Sequence, residues 1–208
     1  MRLVLLSDTH TFHDQVVVPY GDVLCHAGDM GLRGNPQEIQ PCLDWLNDQP
    51  HKHVVAIAGN HDWAFQKWPQ QLKLGRIDYL ENSSVNIDGK NFYGSPVQPE
   101  FMDWAFNVAR GKAIKEYWDM IPDAGLGDVL LTHGPPMGIL DQSSPGKSDH
   151  LGCEDLANQV FRSKPLVHVF GHIHGGYGSR ENSRIKFFNA SQVNEAYKIV
   201  NKPWVVDI

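Results

Sequence analysis

Cysteine is scarce in this chain: Cys25, Cys42 and Cys153 are an odd number at irregular spacing, which gives neither a disulfide framework nor a Cys-x-x-Cys metal clamp. A reducing compartment is the expectation. Long apolar runs are missing too. The opening Met1-Arg2-Leu3-Val4-Leu5-Leu6 stops at Ser7-Asp8, far short of a signal-peptide core, and no later stretch approaches the roughly 20 residues that span a bilayer. The chain therefore reads as cytoplasmic, with no membrane partner. Positive charge is short as well: 18 Lys and Arg against 24 Asp and Glu leave a formal charge of -6, whereas extended nucleic-acid binding needs a basic footprint. A small partner suits such a surface better than nucleic acid.

What is present describes one ordered domain. The 208 residues, 41% of them hydrophobic, can bury a full core without a second domain. Short runs rich in Val, Leu, Ile and Phe at residues 3–6, 22–27, 53–58, 129–132 and 166–170 read as buried strands. Helical stretches lie at 36–47 behind an Asn35 cap, at 111–120 and at 154–162, with Pro41 expected to kink or delay the first. Further strand-like pieces at 85–87, 91–93, 185–189 and 204–207 lack helical partners, so the expected sheets are mixed and doubled into a sandwich. Residues 134–152, with three prolines and four glycines and no periodicity, read as a functional loop.

Histidine is the unusual entry in the composition: there are 11, and imidazole is the commonest metal ligand among side chains. Each of the five buried-strand candidates is followed at once by ligating residue types: Asp8-x-His10, Gly28-Asp29, Gly59-Asn60-His61-Asp62, His133-Gly134 and Gly171-His172-x-His174. Strands joined by helical crossovers end along one edge, and ligands collect outside their carboxyl ends. Alternate residues of an extended segment share a side, so both members of Asp-x-His and of His-x-His can face one site.

These blocks, in this order, resemble the calcineurin-like metallophosphoesterases, whose motifs run Asp-x-His, Gly-Asp, Gly-Asn-His-Asp/Glu, His and Gly-His-x-His. The resemblance covers nearly the whole chain. Gly94-Ser95-Pro96, Thr132-His133-Gly134-Pro135-Pro136, Val169-Phe170-Gly171-His172-Ile173-His174 and Asn189-Ala190-Ser191 are similar to the metallophosphoesterase-domain phosphodiesterase subfamily. The resemblance implies an α/β fold, a four-layer α/β/β/α sandwich with mixed sheets. It also implies that Asp8, His10, Asp29 and His174 hold one metal ion while Asp29, Asn60, His133 and His172 hold a second, with Asp29 shared. Two cations roughly 3.5 to 4 Å apart neutralise a phosphate ester and lower the pKa of a water held between them, which then attacks phosphorus in line. Carboxylate, amide and imidazole ligands without thiolate suit Mn, Fe, Zn or Co. By the same resemblance His61 lies over the phosphate as a catalytic group rather than a ligand, with Asp62 as its orienting carboxylate.

Other residues stay open between a role and plain packing. His51 and His53 are expected to be solvated, His168 to occupy one face of its strand, and His26 to be a core histidine or a partner behind Asp29. His13 and His150 lie in loops that could reach the site, His150 as a substrate contact. Gly28-Asp29-x-x-x-Arg33-Gly34 resembles a block of the protein serine/threonine phosphatases, with Leu32 where that block has Asp; Arg33 is thus a candidate phosphate contact. Phe12, Trp63, Phe65 and Tyr177 are candidates for a stacking surface. The expected function is a phosphodiesterase for a small phosphoester such as a cyclic nucleotide. A phosphomonoesterase, a DNA nuclease or an inactive binding scaffold is the alternative.

Overall fold

The computed structural model describes residues 1–125, 127–144 and 146–208. Strands β1 (Arg2–Leu6), β2 (Val23–Ala27), β3 (His53–Ile57) and β4 (Ile77–Tyr79) pair in parallel, in chain order. The chain then crosses to a second sheet with β5 (Ser83–Ile87) and β6 (Lys90–Ser95), makes a two-stranded detour with β7 (Gln98–Pro99) and β8 (Asn107–Val108), and returns with β9 (Val129–Thr132), β10 (Val167–Phe170), β11 (Gly178–Glu181) and β12 (Lys186–Asn189). The second sheet has the order β11-β12-β10-β9-β6-β5, parallel inside with an antiparallel strand at each edge. Last, β13 (Trp204–Asp207) adds antiparallel to β1.

Period-two alternation along fully buried strands builds the layers. Leu3, Leu5, Val23, Cys25, Val55 and Ile57 of the first sheet meet Phe92, Val129, Leu131, Val167, Val169 and Phe188 of the second in one core. The opposite face, with Val4, Leu6, Leu24, Val54 and Ala56, packs on Ile39, Cys42, Leu43 and Leu46 of helix α1 (Pro36–Asn47) and on the short α2 (Trp63–Lys67). On the far side Tyr93, Leu130, Phe170 and Phe187 meet Ile114 and Trp118 of α3 (Lys112–Trp118) and Leu156 and Val160 of α4 (Glu154–Ser163). The result is the expected four-layer α/β/β/α sandwich with mixed sheets.

Asn35 caps α1 as expected, its side chain accepting from the Glu38 N–H. Pro41 does not delay the helix, which begins at Pro36 and runs through it; Pro41 itself is on the exposed face. His51 is buried rather than solvated, because its Nε2 finds the Pro19 carbonyl at 3.0 Å. His168 is fully buried on its strand and pairs with Thr132 Oγ1 at 2.8 Å. Among the described residues no helix is long and apolar enough to cross a membrane.

Candidate metal centre

All five expected ligand-bearing segments leave the carboxyl ends of β1, β2, β3, β9 and β10, and the structure gathers them. Backbone bonds between neighbouring loops set the spacing: Asp8 N–H to Gly28 O at 2.9 Å, His10 N–H to Asp29 O at 3.0 Å and Gly171 N–H to His133 O at 2.9 Å. Asp8, His10, Asp29 and His172 all have positive φ, between 42° and 66°. Such backbone is costly for residues with a Cβ and concentrates where a site needs a side chain aimed. Two glycines are required by contact: a Cβ on Gly171 would overlap Asp8 Oδ2, and one on Gly59 would overlap Asp29 Oδ1.

Three adjoining groups result, each with its ligand atoms within 4.8 Å of one another: Asp8, His10 and His174; His10, Asp29 and His61; Asp29, His133 and His172. In the first, His174 Nε2 lies 3.4 Å from Asp8 Oδ1 and 3.3 Å from His10 Nε2. Asp29 Oδ2 is 3.6 Å from His10 Nε2 and 3.4 Å from His133 Nε2, so one carboxylate oxygen serves both ends. Asn60 Oδ1 completes the second end, 2.8 Å from both His133 Nε2 and His172 Nδ1.

Proton positions follow from the partners behind the rings. His10 Nδ1 is 2.9 Å from the Gly31 carbonyl and His133 Nδ1 2.9 Å from the Ala27 carbonyl. A carbonyl only accepts, so both Nδ1 atoms carry hydrogen and both Nε2 atoms face the cluster, the orientation that metal-binding imidazoles use; on His10 that nitrogen offers a lone pair, while on His133, 2.8 Å from the Asn60 amide oxygen, it carries a proton that a bound cation would displace. Burial pushes the His10 and His172 imidazoles down, His172 to about 3, which keeps them neutral. Burial would also raise the carboxyls of Asp8 and Asp29, but His174 beside Asp8 and His133 beside Asp29 outweigh it and hold both below the ordinary range. Burial likewise opposes charge on His133, yet Asp29 raises it to about 9. Two buried carboxylates beside converging imidazoles leave a surplus of donors that fits divalent cations.

His61 sits at the edge. Its Nδ1 is 2.6 Å from the Leu32 carbonyl and its ring lies 4.1 Å from that of Trp104. Asp62 does not orient that ring: its Oδ1 accepts from Met30 N–H at 2.9 Å and Gly31 N–H at 3.0 Å, its Oδ2 from Gly59 N–H at 2.8 Å. The carboxylate therefore clamps the loop after β2 to the loop after β3. Behind the site, Ser191 Oγ donates to Asp8 Oδ2 at 2.7 Å. His26 is fully buried between Thr9 Oγ1 and the Gly28 N–H, a support for the Asp29 loop.

The cluster opens into a cleft of about 260 Å³, walled by Phe101, Met102, Trp104, Glu195 and Tyr197. Neither Arg33 nor His150 lines it. Arg33 is exposed, and His150 is held by Asp141 Oδ1 at 2.9 Å. His13 packs beside Trp45. Of the four aromatics expected near the motifs none lines the cleft: Phe65 stacks on Tyr79, Tyr177 on Trp204, and Trp63 lies under Lys67. Trp104 and Tyr197 take their place; Tyr197 lies 4.8 Å from the His10 ring and 5.4 Å from that of His174. They sit in loops without a motif.

A four-layer sandwich with shared Asp and His groups at its strand ends defines a metal-dependent phosphoester hydrolase. Residues 1–176 match the calcineurin-like phosphoesterase family model. The chain is 40% identical over its whole length to human metallophosphoesterase domain-containing protein 1, covering 71% of that protein, and 34% identical to a UPF0046 protein of Caenorhabditis elegans over 99% of this chain and 74% of that one. Its fold is shared with TT1561 of Thermus thermophilus, at TM-score 0.62 and 11% identity, over 90% of this chain and 88% of that one. The chain belongs to the calcineurin-like phosphoesterase family.

Proposed function

We propose that the chain is a phosphodiesterase acting on small diesters such as cyclic nucleotides. One observation carries this preference: among the described residues lining the cleft there is no Lys or Arg, and Glu195 stands in its wall. A phosphomonoester brings about 1.5 to 2 negative charges and calls for basic partners beyond the ions. A diester brings one. Asp8, His10, Asp29 and His174 would hold one ion of Mn, Fe, Zn or Co, and Asp29, Asn60, His133 and His172 the other. When bound, the pair supplies charge neutralisation and an acidified water.

The chain's own groups then do the rest. The Leu32 carbonyl takes the Nδ1 hydrogen of His61 and leaves Nε2 facing the cleft, where it can hold a proton for the leaving oxygen. Trp104 covers one side of that ring and Tyr197 covers His10, so both shield the donors from bulk water.

The test is hydrolysis of bis-p-nitrophenyl phosphate against p-nitrophenyl phosphate by protein stripped and reloaded with Mn, beside Asp29→Asn and His61→Ala. Faster diester cleavage, lost in both variants, with metal retained in His61→Ala, is expected. A monoester preference would overturn the diester reading, and inactivity toward both would favour a binding scaffold.

A further inference from the structure

Residues 194–198, between β12 and β13, form a closed turn. Asn194 N–H donates to Lys198 O at 3.0 Å, Tyr197 N–H to Asn194 O at 2.8 Å, and Asn194 Oδ1 accepts from the Ala196 and Lys198 N–H groups at 3.0 and 3.1 Å. The turn holds Tyr197 at a φ of 55°, backbone that costs energy for a residue with a Cβ and persists where the surroundings impose it. It brings Tyr197 against His10 and His174 and puts Glu195 in the wall of the metal-facing cleft. Phe101, Met102 and Trp104, from the loop between β7 and β8, line the same cleft.

Glu195 is exposed yet fixed. Its Oε1 accepts from the Gly175 N–H at 3.0 Å, one residue past His174, and among the described residues it has no other hydrogen bond and no ion pair within 4.0 Å. Lys198, three residues on, is exposed and does not line the cleft. A carboxylate without a counter-charge, set among three aromatic rings and a thioether, is the combination that takes an organic ammonium: the carboxylate meets the charge, and the π faces and soft sulfur meet its polarised carbons. A plain alkyl group would cover the rings and leave Glu195 without a partner. A sugar hydroxyl would satisfy Glu195 and leave the rings bare, and a second anion would be repelled.

We infer that the cleft selects a phosphoester whose alcohol is cationic, a quaternary or primary ammonium of the choline or ethanolamine type, and that Glu195 and Tyr197 set this preference. The inference rests on the phosphoesterase reading of the neighbouring cluster and, among small diesters, names the alcohol.

The test titrates two non-hydrolysable isosteres, 2-(trimethylammonio)ethylphosphonate and 3,3-dimethylbutylphosphonate, calorimetrically into the Mn-loaded chain. They share shape and head group and differ in the charge at one atom. The ammonium compound is expected to bind about tenfold tighter. Glu195→Gln, which keeps an acceptor for the Gly175 N–H, is expected to bring the ratio of the two affinities down to about two. Tyr197→Leu is expected to lower the ratio a few-fold and Tyr197→Phe, which keeps the π face, to preserve it. Any loss of metal in a variant weakens both compounds alike, so the ratio stays readable. Competition by glycerophosphocholine, or co-sedimentation with phosphatidylcholine vesicles, tells a soluble ester from a lipid headgroup as the source of the ammonium; neither result would overturn the inference. A ratio near one in the unaltered protein, or one that survives Glu195→Gln, would overturn the cation preference alone. Failure of both phosphonates to bind while Mn is held would overturn the phosphoesterase reading and the inference with it.

Discussion

Replacing Asp62 by Asn separates two roles for this carboxylate. The change keeps shape and volume but leaves one acceptor oxygen where there were two. With that oxygen toward Met30 and Gly31 N–H, the new amide faces Gly59 N–H; turned over, it faces the other two. At least one buried N–H is orphaned either way, which costs about 1 to 3 kcal/mol. Part is offset: burial first, and the Asp29 charge second, push the Asp62 carboxyl up to about 7, so removing its charge relieves repulsion with Asp29. A net loss of about 1 to 2 kcal/mol is expected, read as a lower urea midpoint of the metal-free protein at constant m-value. Metal affinity is expected to fall about 10- to 100-fold, because loops carrying Asp29 and Asn60 lose their common clamp. Excess metal should then restore turnover with an unchanged pH profile. An unchanged urea midpoint together with a shifted pH profile at saturating metal would refute the clamp and return Asp62 to proton chemistry.

Gly171→Ala is expected to displace Asp8 and to strip the ion held by the Asp8 group; metal content per chain measures it. Ser191→Ala removes the hydroxyl that donates to Asp8 Oδ2 and is expected to weaken metal binding about 10-fold or more by equilibrium dialysis. Burial pushes His168 down to about 3, so below about pH 6.5 the unfolded chain takes up a proton there that the folded chain refuses. Stability is therefore lost as pH falls from about 6.5 toward 3, by about 1.4 kcal/mol per pH unit from this group, and His168→Gln should flatten the acid limb of urea midpoints by that amount.

Much of the site is legible in the sequence because each ligand-bearing block directly follows a buried apolar strand, and parallel strands deliver their carboxyl ends to one edge. Helix α1 is legible from Asn35 and the apolar spacing of Ile39, Cys42, Leu43 and Leu46. The short β4, β7 and β8 are not, since two or three residues carry too little periodicity to register, and β11 is not because Gly178–Glu181 is mostly exposed and holds no apolar residue. Trp104, Glu195 and Tyr197 reach the cleft through loop paths that no local pattern encodes. The clamp made by Asp62 is hidden for a related reason: its partners are backbone amides, which every sequence offers equally, so only the fold shows which of them meet it.

Each half of the cluster draws from both sheets. Asp8 and His10 follow β1 of the first sheet, while His174 follows β10 of the second, 164 residues beyond His10; Asp29 and Asn60 face His133 and His172 in the same way. The Ser7 N–H to Ala190 O bond, at 3.0 Å, already joins the sheets at this end. An ion here would act as a rivet between two leaves whose shared interior is apolar. Metal supply would then govern not only turnover but how firmly the sandwich stays shut, with stability rising as the logarithm of free metal concentration.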